Sequence, residues 1–389
     1  MLQSFLVYGL LALVLFLLGR EISIKEAYAN RHFNTEYKFL SWEMILMLLS
    51  FGFVVGVRWD VGVDHLSYLD GYKTIQKYGE FWGREDSIEI GFVLISKLFA
   101  FLNIHFSLYF AFWGIMQMLF LYLTFKNNKY LYPYIGLILI LGPLFLSWNN
   151  GIRQTLATCI IMYGSQYIVD RKFLKYILWV FIATLIHKSA WIVLLFYFIP
   201  RDRVIINNRL LQLSILFVSI YLGFNQFWID NLTRFGDIFS LLGYERFVDK
   251  IEVFINEDVD KNFGFRTISR LIIEFIVLLF SKKILSSYKD SRLVLFYNLF
   301  FIGICLYYLL YNTSHVFLRV LYYFDIVRLA FSALLLHYLL YKSKMYNLVK
   351  LPLFIIILLL AVSWTTVFVY EAGTGIDRAV LYKFFWDYI

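Results

Sequence analysis

Long apolar runs separated by short basic loops constrain this chain more than any other feature. They lie near residues 2–19, 39–57, 106–125, 131–148, 152–169, 173–187, 188–200, 209–229, 267–281, 293–311, 316–341 and 351–370. Several approach the ~20 residues that cross a bilayer's hydrocarbon core. Backbone in lipid must satisfy its own hydrogen bonds, so each run is expected to be a helix. The expected fold is therefore all-α: a polytopic membrane protein with about 12 transmembrane helices in one membrane domain over 1–389. The chain is 61% hydrophobic and 16% charged, where soluble domains carry about 25% charge.

The net charge of +9 does not point to nucleic acid. The basic residues sit in short loops between apolar runs, the pattern of a chain whose partner is a bilayer. Two cysteines, Cys159 and Cys305, fall inside apolar runs, so neither a disulfide framework nor a cysteine metal cluster is implied. The run 2–18 has no basic residue before it and no small-residue cleavage site after it, which predicts a retained helix.

Charge distribution sets the expected orientation. Arg20, Lys25, Arg31, Lys38, Lys126, Lys129, Arg171, Lys172, Lys175, Arg201, Arg203, Arg209, Lys282, Lys283, Lys289, Arg292, Lys342, Lys344 and Lys350 can all face the cytoplasm. That holds only if 90–104, which is short and carries Lys97, is a re-entrant or interfacial helix. Both termini and two polar loops, 58–105 and 230–266, then face out. The short pair 173–187 and 188–200 reads as a shallow hairpin with His187 and Lys188 at its tip.

The residues that could carry chemistry gather at this outer side. In the first outer loop, Asp64 and Tyr68 fall one turn apart if the segment after Gly62 is helical. Glu89 stands at the start of the re-entrant run, where a carboxylate also suits the helix dipole. For Asp60, Asp70 and Glu80, solvated turn positions are the simpler reading. Arg153 follows Asn149-Asn150-Gly151 at a helix start, a position that attracts anions. Its fork can bind two phosphate oxygens; the plain alternative is a snorkelling anchor. Gln154 adds donors. His187 could be a general base, a donor to phosphate, or a helix-turn residue. The outer histidines His65, His105, His187 and His315 match no ligand spacing, so no metal is expected. Asp325 with Arg328, and Arg270 with Glu274, are spaced to neutralise one another. Arg153 and Arg319 have no carboxylate one turn away and are the better candidates to meet an anionic ligand.

These residues fall into ordered motifs: R-x-x-x-G-x-D-x-x-x-Y at Arg58, Gly62, Asp64 and Tyr68; E-x-G-F at Glu89, Gly91 and Phe92; R-Q-x-x-A at Arg153, Gln154 and Ala157; A-x-x-x-H-x-S-A at Ala183, His187, Ser189 and Ala190; and R-x-x-x-Y-F at Arg319, Tyr323 and Phe324. Together they resemble the EpsG-like family of bacterial exopolysaccharide, capsule and O-antigen polymerases. One departure is His65, where that family often has tyrosine. The resemblance implies a Wzy-type polymerase of GT-C-like architecture in the bacterial inner membrane, without a cofactor. Its substrates would be oligosaccharides on undecaprenyl pyrophosphate, joined at the outer face, with chain-length regulator and export proteins as further partners. Under it, Asp64, Glu89 and His187 are the candidate catalytic residues, with Asp64 the expected base. Arg58, Tyr68, Arg153, Gln154, Arg319 and Tyr323 are the candidate substrate contacts. His187 is expected with Arg153 on the diphosphate side, and Asp64 and Glu89 opposite. Trp59, Tyr68, Tyr72, Phe81 and Trp82 would offer faces for sugar rings. A flippase for the same lipids would be expected to show internal repeats, and none is detected. A membrane acyltransferase would need its histidine on a cytosolic donor route, whereas His187 is placed outside.

Overall fold

A computed structural model describes residues 1–80, 88–142, 144–225, 264–288, 290–312, 319–343, 346–373 and 381–388. Phe81, Trp82, Lys289, His315, Lys344 and the loop from 226 to 263 lie outside the described residues. Among the described residues every named element is helical, and one isolated antiparallel bridge joins Arg58 to Phe384. The chain divides into two compact units, residues 1–197 with 329–389, and residues 198–328.

The first unit begins with α1 (Leu2–Phe33), α2 (Trp42–Gly56), α3 (His65–Tyr78), α4 (Ile90–Phe101) and α5 (Phe106–Thr124). It continues with α6 (Tyr132–Leu141), α7 (Leu144–Asn150), α8 (Ile152–Gly164), α9 (Gln166–Val169) and α10 (Phe173–Ile186), then a 3-10 helix, Lys188–Phe198. The packing order runs α6, α1, α2, α5, α8, α10. Helix α1 is apolar on all sides from Phe5 to Leu18. Tyr8, Leu11, Leu15 and Ile22 are buried, while Leu6, Leu10, Leu13 and Leu17 are exposed. A helix facing water would carry polar residues on that outer stripe; an apolar one suits hydrocarbon. Close helix contacts use small residues, as membrane interiors do: a Cβ on Gly136 would sit 2.8 Å from Leu15 Cβ.

The two ends of this unit differ in chemistry. At one end Tyr382 of the C-terminal segment donates its hydroxyl to Val54 O, and its N–H to Ser4 Oγ. At the other end Lys129 Nζ lies 2.8 Å from Glu26 Oε2, and Tyr37 donates its hydroxyl to Glu43 Oε2 at 3.0 Å. Lys25 also bonds the fully buried Glu43. Lys25 and Lys129, expected as plain loop charges, are therefore partners in a buried polar network. Within this unit the candidate catalytic residues lie at the first end, and Lys25 and Lys129 at the second.

Three helices are long and apolar enough to cross a membrane: Leu2–Phe33, Phe106–Thr124 and Leu321–Lys342. The count becomes four if the bent pair Lys129–Leu141 and Leu144–Asn150 is one span. That pair, expected as one helix over 131–148, turns by 71° at the Gly142-Pro143 break. Proline cannot donate in the helix ladder, and the residue before it leaves the helical region. The run 152–169 divides at Ser165 into α8 and α9. Seven further apolar helices are shorter, including α2, α4 and α10. The expected hairpin is present: Tyr176 Oη donates to Val193 O at 2.6 Å, and Phe173 packs on Tyr197. Its second arm is a 3-10 helix of 11 residues, so at ~2.0 Å per residue it runs about 22 Å and matches the 14-residue α10, which at ~1.5 Å per residue runs about 21 Å.

In the second unit α11 (Arg209–Gly223) packs on α13 (Leu293–Leu309), and α12 (Phe265–Ser287) packs on α13 as well. The two pairs read from spacing both form. Arg270 Nε is 2.8 Å from Glu274 Oε1, and Arg328 is 3.0 Å from Asp325 within α14 (Asp325–His337). Glu274 also accepts from Tyr308 Oη at 2.8 Å. Helix α15 (Tyr346–Gly373) follows and packs on α6 in the first unit.

Candidate functional site

The site is assembled by a loop, two helix starts and a hairpin tip. The loop 57–64 leaves α2 and is tied to the segment before α8. Arg58 is fully buried and bonds Asn149 Oδ1, while its NH2 donates to Asn149 O at 2.9 Å. Its Nε donates to His65 Nδ1 at 3.3 Å. Burial first, then the charge of Arg58, holds the His65 imidazole at a pKa of about 2, so it is neutral and can accept. Its ring stacks on Phe110 at 4.7 Å. Gly62 has φ +94, and a Cβ there would lie 3.0 Å from Asn149 O. Only glycine meets both demands, which accounts for the glycine between Arg58 and Asp64 in the first motif.

Helix α3 then starts, with Asp64 as its N-cap residue. The Asp64 N–H donates to Asn150 Oδ1 at 2.9 Å, but its side chain caps nothing. Among the described residues the half-buried Asp64 carboxylate has no hydrogen-bond or ion-pair partner. Tyr68 follows one turn later, its N–H on Asp64 O at 3.0 Å, as the helical reading required.

Across from Tyr68 stands Arg153, in the first turn of α8. Its Nε lies 3.5 Å from Tyr68 Oη, and its guanidinium sits 5.8 Å from the Tyr68 ring centroid and 5.3 Å from that of Phe92. NH1 bonds Glu89 Oε2. The other Glu89 oxygen lies 3.1 Å from His187 Nδ1 and accepts the Lys188 N–H at 3.0 Å. Glu89 is 6% exposed, with Arg153 and His187 at 24% and 19%. Burial alone would raise the Glu89 pKa. His187, then the charge of Arg153, outweigh it with help from the Lys188 N–H, and hold the group at about 2.

Local sequence explains this convergence. Glu89 precedes α4 in an extended conformation without capping it by its side chain, and His187 ends α10 in one, where the hairpin reverses. Gly91 lets the two helix ends meet: a Cβ there would lie 2.7 Å from Leu185 O. Ala183 O accepts the His187 N–H at 2.9 Å, and Ala190 N–H returns to His187 O at 3.0 Å. Ala183 and Ala190 are fully buried, so the small residues of the histidine motif are packing requirements around the turn.

Tyr68, Glu89, Arg153 and His187 thus form one contact network, with Asp64 one helical turn away. One expectation changes. Glu89 does not stand opposite Arg153 and His187 but between them. Arg153, which has no carboxylate one turn away, acquires one 64 positions distant. Helical spacing reports only local partners and is blind to such pairs. Arg58 is not at the surface of the site; its guanidinium braces Asn149. Gln154 is 4% exposed within α8. Arg319 and Tyr323 belong to the second unit, Arg319 exposed and Tyr323 buried. Asn149, Asn150 and the C-terminal segment were not anticipated as site elements. The Asn-Asn-Gly run before a helix was the available signal for the first two, because asparagine side chains commonly bond nearby backbone in turns.

Comparison with curated proteins and with solved structures returns no match. The family model of the EpsG family matches residues 41–384, a span that holds every motif quoted above. The chain is a membrane protein that belongs to the EpsG family.

Proposed function

We propose that this protein is a Wzy-type polysaccharide polymerase. It joins oligosaccharide units carried on undecaprenyl pyrophosphate at the outer face of the bacterial inner membrane. The reading extends to a GT-C-like arrangement in which the shorter apolar helices complete about twelve spans. Membership of the EpsG family supports it. The observation that carries it is a half-buried arginine at an apolar rim, oriented by Glu89, Tyr68 and Phe92, with the unengaged Asp64 carboxylate one turn from Tyr68.

The chemistry follows from that pairing. An acceptor hydroxyl oxygen attacks the anomeric carbon of the donor sugar. The bond from that carbon to the diphosphate oxygen breaks, its electron pair leaves with the diphosphate, and the hydroxyl proton passes to Asp64. Arg153 NH2 makes no hydrogen bond among the described residues and would meet the charge growing on the diphosphate. His187, held by Glu89, would donate to the same group. Glu89 orients both and stays ionised, so the proton is not its to take. Partial proton removal by a placed base typically contributes ~100-fold or more.

The test is purified protein with defined lipid-linked repeat units, read as a ladder of longer chains. The wild type should give the ladder, and Asp64→Asn should lower it by about 100-fold. Wild type that consumes no donor, or that moves the lipid across vesicles without lengthening it, would sink the polymerase reading.

A further inference from the structure

The chain's last described segment, residues 381–388, lies against the loop that carries Arg58 and Asp64. Phe385 N–H donates to Val57 O at 3.0 Å and Trp59 N–H donates to Lys383 O at 2.8 Å, so the two segments pair as strands around Arg58 and Phe384. Tyr382 is 4% exposed and anchors the segment by its hydroxyl on Val54 O and its N–H on Ser4 Oγ. Phe385 packs edge-on against Phe106 at 5.3 Å, and Tyr388 stacks parallel on Trp59 at 6.2 Å. These contacts fall on Val57, the C-cap of α2, and on Trp59, where the backbone leaves the helix.

The same loop is gripped from its other side. Arg58 bonds Asn149 twice, and Asp64 N–H is held by Asn150. Trp59 and Arg58 are adjacent, so the tail fixes one and the segment before α8 fixes the other. A two-residue pairing is weak alone, but here it closes a loop that would otherwise be restrained on one side only.

We propose that the C-terminal segment is a positioning strap of the outer site: it holds the 57–64 loop so that Asp64 keeps its place at the start of α3, one turn before Tyr68. The inference rests on the polymerase reading for its effect on turnover, but not for its mechanical content. Tyr388, Tyr382 and Trp59 act through the loop, with no contact to substrate assigned to them. A strap of this kind sets the rate of the chemical step more than substrate affinity, because displacement of a reacting group by ~1 Å costs up to ~100-fold.

Tyr388 is 55% exposed, so its replacement tests the strap without emptying the core. Two readouts are needed on full-length protein in detergent: hydrogen exchange of residues 57–66, and kcat with KM for a lipid-linked repeat unit. Tyr388→Ala is expected to raise exchange in 57–66 by about tenfold and leave 183–190 unchanged. It should lower kcat by about 10-fold with KM within about twofold. Tyr388→Phe keeps the ring and should restore both. A chain ending at Lys383 should show the same effects more strongly. Unchanged exchange in 57–66 in both the Ala variant and the shortened chain overturns the strap. Raised exchange with unchanged kcat overturns its role in positioning. If the wild type makes no polymer, the polymerase reading fails and exchange alone decides whether the strap holds the loop.

Discussion

Glu89 is one carboxylate with three partners, and that decides what it can do. Its pKa lies below the ordinary 4.5, at about 2. The stability it contributes is therefore present above about pH 4.5 and is lost as pH falls from there through about 2, up to about 3 kcal/mol in all. Through any range in which activity can be assayed it is ionised, so it cannot supply the acid limb of a rate profile. Glu89→Gln should lower activity, because the negative charge between Arg153 and His187 is lost and one of the two accepting oxygens becomes an NH2, yet leave the midpoint of the acid limb where it was. An acid limb that moves or vanishes in this variant would mean that Glu89 itself titrates in turnover. The members of this cluster were legible in the sequence as polar residues at the rims of apolar runs. Their pairing was not. Glu89 meets Arg153 across 64 positions and Lys188 across 99, and no periodicity carries information over such distances. Arg58 shows the converse: the first motif of the resemblance made it a candidate substrate contact, and its guanidinium is spent on Asn149.

At the level of elements, the approach of α4 to α10 makes the cluster possible, and Gly91 is its narrowest point. A Cβ would press on Leu185 O at 2.7 Å, and backbone cannot rotate away as a side-chain tip can. Gly91→Val should force the helix ends apart, at about 1–3 kcal/mol by the usual cost of overpacking, and pull Glu89 from His187. Thermal unfolding in detergent should show a lower midpoint. Activity should fall further than Leu185→Ala in the Gly91→Val background can restore, because the obstacles are the Leu185 carbonyl and, at 3.0 Å, its Cβ, both of which alanine keeps. Full rescue by Leu185→Ala would show that the contact is not with backbone. Sequence patterns located most of these elements, since apolar runs and turn residues are local signals. They also gave α3 conditionally and the hairpin with its tip. They missed the bend at Gly142-Pro143, where one continuous apolar run hides two helix directions. They missed the tail because two residues of strand pairing leave no pattern.

For the whole molecule, the question is which end faces out. The first unit has two ends joined by α1, whose 32 residues span about 48 Å. Ser4, Val57 and Tyr382 gather at one end with Asp64 and Arg58; Lys25, Glu26, Tyr37 and Lys129 gather at the other. The basic turns at 126–129 and 171–175 fall at this second end, because α5 and α8 leave the site end and run toward those turns. Lys and Arg are retained on the cytoplasmic side during insertion, so the site end should face out. Ser67 and Thr35 are both exposed, one at each end. With Cys159 and Cys305 replaced by Ala, a cysteine at Ser67 should react with an impermeant maleimide on intact spheroplasts. A cysteine at Thr35 should react only after permeabilisation. The reverse pattern would put Asp64, Glu89, Arg153 and His187 in the cytoplasm, and the proposed reaction at the outer face would fall with it. Equal reaction at both positions in intact cells would break the assignment of α1 as a span, because its two ends would then share one side.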